Sequence, residues 1–101
     1  MVSRFDSVVV GGGLLGMSVA YGLRLRDLSV AVIDEGDVAH RASRGMFGLV
    51  WAQSKGRGMP EYARWTRDSI QLWPAFAEDL LDRTGIEVTY SRCGGYMFAF
   101  T

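Results

Sequence analysis

Val8-Val9-Val10-Gly11-Gly12-Gly13-Leu14-Leu15-Gly16 is the stretch on which the fold turns. Three β-branched residues suit a strand covered on both faces, three glycines suit a tight turn, and Leu14 opens an apolar segment with helical spacing. A second apolar run, Leu28-Ser29-Val30-Ala31-Val32-Ile33, ends on Asp34-Glu35. Strand, glycine turn, helix and strand in this order admit one hand of crossover and therefore a parallel pair. The glycine spacing, with a carboxylate at the end of the second strand, is that of a dinucleotide-binding βαβ unit. In such a unit a diphosphate sits against backbone N–H groups at a helix N-terminus, where a side chain would hold it away. Gly11 permits the turn, Gly13 the close approach and Gly16 the contact between helix and strand. Leu14 and Leu15 complete the candidate diphosphate set. Asp34 is the candidate ribose acceptor, with Glu35 beside it as the alternative for the same role. Either carboxylate repels a 2′-phosphate, which disfavours NADP.

The 101 residues are 49% hydrophobic, with three Trp, five Phe and four Tyr, a composition that folds rather than one that stays disordered. A body of this size buries roughly 60–70% of its unfolded surface, a marginal core. Two parallel strands cover little, and a dinucleotide site ordinarily uses a third. The chain is therefore expected to be the N-terminal part of a longer protein and its domain to be incomplete. Eleven Lys and Arg balance eleven Asp and Glu, so no overall field draws nucleic acid or an anionic membrane. The balance is local: Arg41, Arg44, Lys55, Arg57, Arg64 and Arg67 face Glu61 alone between His40 and Arg67. Arg64 and Arg67 read as solvated helix charges, whereas Arg41 and Arg44 follow the second strand, near the expected diphosphate. Cys93 is the sole cysteine, which excludes an internal disulfide and points to a reducing, cytoplasmic setting. The N-terminal apolar run imitates a signal peptide, but Asp6 and the glycines interrupt it, and it is too short for a membrane span.

The reading along the chain is an α/β fold with two parts, 1–59 and 60–101. The first holds strand 5–10, helix 14–26, strand 30–33 and a long irregular segment over 37–59. That segment carries the apolar cluster Met46, Phe47, Leu49, Val50 and Trp51, so it reads as a loop shaped around a ligand, with a short strand over 47–52. In the second part Pro60 opens a helix with Glu61 in its first turn. Tyr62, Trp65, Ile70, Trp73, Phe76, Ala77, Leu80 and Leu81 form its apolar stripe, and Gly85 ends it. Pro74 predicts a kink or break near 72–73. Ile86, Val88 and Tyr90 alternate with polar residues, and 96–100 is apolar, so two antiparallel strands around Gly94-Gly95 are expected.

Other chemistry is thin. His40 reads as a surface residue, and Cys93 has no sequence-placed activator and reads as an inert thiol. Trp65 and Trp73 read as packing, Trp51 is left open, and metal-ligand spacing is absent.

With these residues in view, the chain resembles the N-terminal portion of the FAD-dependent D-amino-acid oxidase and glycine oxidase family. The branch it is most similar to contains subunits related to hydrogen cyanide synthase and hydroxyproline dehydrogenase. The likeness rests on the glycine stretch, on Val32-Ile33-Asp34-Glu35-Gly36, and on Ala42-Ser43-Arg44-Gly45-Met46-Phe47-Gly48-Leu49-Val50-Trp51. Tyr62-Ala63-Arg64-Trp65, Leu72-Trp73-Pro74 and Thr84-Gly85-Ile86-Glu87-Val88 continue it. The resemblance implies FAD as cofactor and an amino acid or amine as substrate. It implies that Ala42, Ser43, Arg44 and Gly45 contact phosphate or ribityl groups, and that Gly48, Leu49 and Val50 lie near the isoalloxazine. Asp34 stands where the family more often has Glu, which shortens its reach, and Met46 stands where this branch is expected to have Asn. The implied reaction removes a hydride equivalent from the carbon beside an amine. The residues that would bind substrate are implied to lie beyond this sequence, so no catalytic residue is named. Other oxidoreductase subunits are candidate partners. Two alternatives stand beside this reading: an NAD-binding module of a dehydrogenase, and a non-catalytic fragment serving as a subunit interface, which an exposed apolar patch at 96–100 would favour.

Overall fold

The structure is a computed structural model and describes residues 4–36 and 42–100. The chain divides into two compact units, Met1–Gly48 and Leu49–Thr101.

The first unit contains β1 (Ser7–Val10), α1 (Leu14–Arg24), β2 (Val30–Ile33) and a 3-10 helix over Ala42–Gly45. β1 and β2 pair in parallel, with Ser7 opposite Val30 and Val10 opposite Ile33, the arrangement expected for the crossover. β1 is shorter than the apolar run because its start is fixed by side chains. The Asp6 backbone N–H donates to the Ser29 carbonyl and hydroxyl oxygens. The Ser29 N–H and hydroxyl in turn donate to Asp6 Oδ2, the N–H at 2.8 Å. α1 closes at Arg24, before the expected 26, because its last carbonyls are already served. The Gly22 carbonyl accepts from Arg26 Nη1 at 3.0 Å, the Leu23 carbonyl from the Arg26 N–H at 3.0 Å and the Arg24 carbonyl from the Asp27 N–H at 3.0 Å, and Asp27 turns the chain at φ +60°.

α1 meets the sheet through small residues. Ala20, 6% exposed, is the one buried residue among those described, and Gly16 lies one turn before it on the same face. The apolar residues expected to form a doubly covered sheet stay in contact with solvent. Val10 is 82% exposed, and Leu15 and Ile33 are exposed as well.

The Asp6–Ser29 lock carries a pH signature. Hydrogen bonds from the Ser29 hydroxyl and then its N–H hold the Asp6 carboxyl below the usual carboxylate value. A depressed folded-state value means stability that is present above the unfolded carboxylate value and lost as pH falls through the folded one. Asp6→Asn is therefore expected to lower the denaturation midpoint of the intact protein at pH 7. The gap from wild type should close as pH drops below about 4, and a gap constant from pH 7 to 3 would refute the lock.

The second unit is built on α2 (Pro60–Thr84). Pro60 sits in the first turn with Glu61, and Gly85 terminates the helix at φ +69°, its N–H donating to the Leu81 carbonyl at 2.8 Å, as read from the sequence. α2 runs through Pro74 without a break. The proline removes one N–H bond to Ile70, and the long helical segments on either side hold its flanks. Trp73 meets Phe76 edge-on at 5.4 Å and stacks on Tyr90 at 6.1 Å. That stacking keeps 86–91 beside α2, and the two antiparallel strands expected over 86–100 are not formed. Thr89 at φ +52° and Gly94 at φ +75° interrupt the extended path that a strand needs. The short strand expected over 47–52 is likewise absent, since Gly48 turns the chain at φ +68°.

Candidate functional site

The glycine turn of the first unit is shaped by three separate demands. Gly11 adopts φ +100°, which L side chains rarely take, and its N–H donates to the Ile33 carbonyl at 2.7 Å, closing the sheet just past Val10. Gly16 is required by contact. A Cβ there would lie 1.9 Å from the Gly11 carbonyl oxygen and 3.3 Å from Val9 Cγ1, so only glycine lets α1 settle on the turn. Gly13 needs neither allowance, for its φ is −76° and a Cβ would meet only Ser43 Oγ, at 3.5 Å. What glycine provides at this position is open space before the N-terminus of α1.

That N-terminus is prepared for an anion. Gly13 caps it without a side-chain hydrogen bond, and no acidic residue lies in the first turn. Among the described residues, the N–H groups of Gly13, Leu15 and Gly16 have no acceptor. Their unsatisfied donors and the helix dipole favour a negatively charged group. Ser43 supplies an oxygen to the next one, since the Leu14 N–H donates to Ser43 Oγ at 2.9 Å. The 3-10 helix Ala42–Gly45 delivers Ser43 there and carries Ala42, Arg44 and Gly45 with it. Arg44 is exposed, with no ion pair among the described residues.

Asp34 leaves β2 beside the turn and uses both carboxylate oxygens. Oδ2 accepts from the Gly12 N–H and Oδ1 from the Gly36 N–H at 2.9 Å. The middle glycine is thus part of the site, although the sequence reading assigned it no role. A Cβ on Gly12 would approach the Asp34 carboxylate to 3.0 Å, and the signal for it was the unbroken run of three glycines. Glu35 is exposed and forms no hydrogen bond among the described residues. Gly48 ends the first unit and Leu49, exposed, begins the second. In the second unit Trp51 donates from Nε1 to the Gln53 carbonyl. His40 and Arg41 lie outside the described residues. Cys93 is exposed as a free thiol. Among the described residues no cluster of His, Cys, Asp and Glu could hold a metal ion, and no helix is long and apolar enough to cross a membrane.

The chain is similar to proteins of one family along nearly its whole length. The family model DAO, described as FAD dependent oxidoreductase, matches residues 6–101. The chain belongs to this family. Within the DAO family it is 44% identical over 96 residues to a subunit of the opine oxidase of Rhizobium meliloti, covering 95% of this chain and 26% of that protein. Against the corresponding opine oxidase subunit of Agrobacterium tumefaciens (strain Ach5) the identity is 43%, with the same coverage. Against the glycine oxidase of Geobacillus kaustophilus it is 34% over 88 residues, 87% of this chain and 23% of that protein. The chain thus spans about a quarter of the length of these curated relatives. No solved structure gives a significant match. The cofactor of this DAO chain is FAD, and the alternative of an NAD-binding dehydrogenase module gives way to that assignment. The turn fits a dinucleotide on its own geometry: an open approach at Gly13, bare donors at the head of α1, and a carboxylate beside them.

Proposed function

We propose that these residues form the adenosine diphosphate end of the FAD site in an oxidoreductase that oxidises the C–N bond of an amino acid or secondary amine. The observation that carries this reading is the cradle, in which Gly16 seats α1 on the Gly11 carbonyl, Gly13 leaves the amides open, and Asp34 and Ser43 flank them. Gly13, Leu15 and Gly16 receive the diphosphate through their bare backbone donors, while Gly11 shapes the turn and Leu14, its N–H held by Ser43, stands beside them. Asp34 accepts from the ribose hydroxyls, with Glu35 beside it. Ala42, Ser43, Arg44 and Gly45 line the path from phosphate toward the ribityl chain, and the family resemblance assigns Gly48, Leu49 and Val50 to the isoalloxazine. FAD supplies the two-electron acceptor, and the protein supplies binding and orientation. The relatives named for opines and for glycine support an amine substrate.

The relatives named as opine oxidase subunits support assembly with other oxidoreductase chains. Tyr96, Phe98 and Phe100 are all exposed, Phe100 by 95%, the patch expected of a fragment that serves as a subunit interface, and it supports a covered face at 96–100. The single cysteine favours a reducing, cytoplasmic setting.

The direct test is the flavin spectrum of the purified intact protein and its bleaching, without oxygen, by a panel of amino acids and secondary amines. Bleaching by none of them would overturn the substrate class. Asp34→Ala is expected to lower FAD affinity at least about tenfold, the cost of a lost hydrogen-bonded carboxylate. An affinity within about twofold of wild type would remove Asp34 from the site.

A further inference from the structure

In the second unit, Lys55, Arg64 and Arg67 converge on one cavity of about 400 Å3, whose remaining lining is Ala52, Pro60 and Ala63. Their convergence is fixed by the backbone. The Lys55 N–H donates to the Ala52 carbonyl at 3.0 Å and the Met59 N–H to the Gly56 carbonyl at 2.8 Å, folding 52–59 into a tight turn. Gly56, at φ +69°, rests on the first turns of α2 so closely that a Cβ would lie 2.5 Å from the Ala63 nitrogen. Lys55 is thereby held against α2, where Arg64 and Arg67 stand three residues apart on one face.

Three like charges lining one open cavity repel each other, and an anion seated among them relieves that repulsion. Among the described residues none of the three has a salt-bridge or side-chain hydrogen-bond partner, although Glu61 and Asp68 are on the same helix. From sequence alone Arg64 and Arg67 are separate solvated charges, but the turn adds Lys55 and makes them a cluster.

We propose that this cavity binds a phosphate group, either free or as a phosphomonoester, apart from the glycine cradle. A phosphate group near neutral pH carries a charge of about −1.5 to −2 and offers several oxygens, acceptors enough for two guanidinium groups and one ammonium. A single carboxylate would leave most of the positive charge uncompensated. Because all three cations are exposed, the affinity falls with added salt.

The test uses the intact protein with its flavin bound, so that the cradle is already filled. Inorganic phosphate and glycerol phosphate are titrated separately by calorimetry at low ionic strength. Saturable binding of at least one of them is expected, and the one that binds more tightly identifies the source. Arg64→Gln with Arg67→Gln should weaken it at least about tenfold with flavin content unchanged. Lys55→Gln, in the turn outside α2, gives a second reading of the same loss should the double variant fail to fold. No binding to the wild type, or equal binding to wild type and variants, overturns the proposal. So does the loss of an acidic partner protein from the double variant when neither phosphate binds, since the cations would then serve a protein contact.

Discussion

Gly16→Ala is expected to strip FAD from the intact protein and to lower its thermal stability at the same time. The added Cβ would lie 1.9 Å from the Gly11 carbonyl oxygen and 3.1 Å from the Gly11 carbonyl carbon. Both atoms are backbone, so no side-chain rotation relieves the overlap. Gly11 has little room to yield, because its φ of +100° and its N–H bond to Ile33 fix it at the end of the sheet. The strain falls on α1, which must lift from the turn. Overpacking of this kind costs about 1–3 kcal/mol, a large part of the ~5–15 kcal/mol that holds a domain together. Lifting α1 also carries the donors of Leu15 and Gly16 away from the diphosphate position. Every 1.4 kcal/mol lost there is about tenfold in affinity, so a loss of at least about a hundredfold is expected. The ratio of flavin to protein absorbance and the melting temperature check the two effects together. A variant that keeps its flavin and its melting temperature would show that α1 does not rest on Gly11.

Which parts of this were readable in advance follows from the range of the forces involved. β2 was placed to the residue, and α2 from Pro60 to its Gly85 cap, because strand pattern and helix caps are written in neighbouring residues. The glycine spacing gave the turn for the same reason. Ser43 was placed in the site only through family resemblance, as its contact with Leu14 spans 29 positions and no local pattern encodes it. Gly12 was overlooked since the motif treats its position as free, whereas here its N–H is held by Asp34. The alternation of Ile86, Val88 and Tyr90 did announce extended structure. Strands exist only when paired, however, and the left-handed turn at Thr89 with the Trp73–Tyr90 stack draws the segment to α2. The Lys55, Arg64 and Arg67 cluster was hidden for a similar reason: the close seating of Gly56 on Ala63, and not their spacing, brings the turn to the helix.

Gly13→Val separates what the cradle needs to fold from what it needs to bind. Gly13 has φ −76° and ψ −177°, a conformation open to any residue, and the first added carbon would meet nothing nearer than Ser43 Oγ at 3.5 Å. Valine is a poorer helix cap than glycine, so stability is expected to fall by about 1 kcal/mol or less. The isopropyl group nevertheless stands before the bare donors of Gly13, Leu15 and Gly16, where a phosphate oxygen must come within about 3 Å. Two or more charge-assisted bonds are lost, at about 1.5–3 kcal/mol each, so FAD affinity is expected to fall at least about a hundredfold. Gly13→Ala, with one carbon at ordinary contact distance, should lie between valine and wild type. Gly16→Ala gives the contrasting result, in which binding and melting temperature fall together. If Gly13→Val retained FAD, the diphosphate could not lie against these amides. Asp34 and Ser43 would then be holding the turn closed for its own stability rather than for a cofactor.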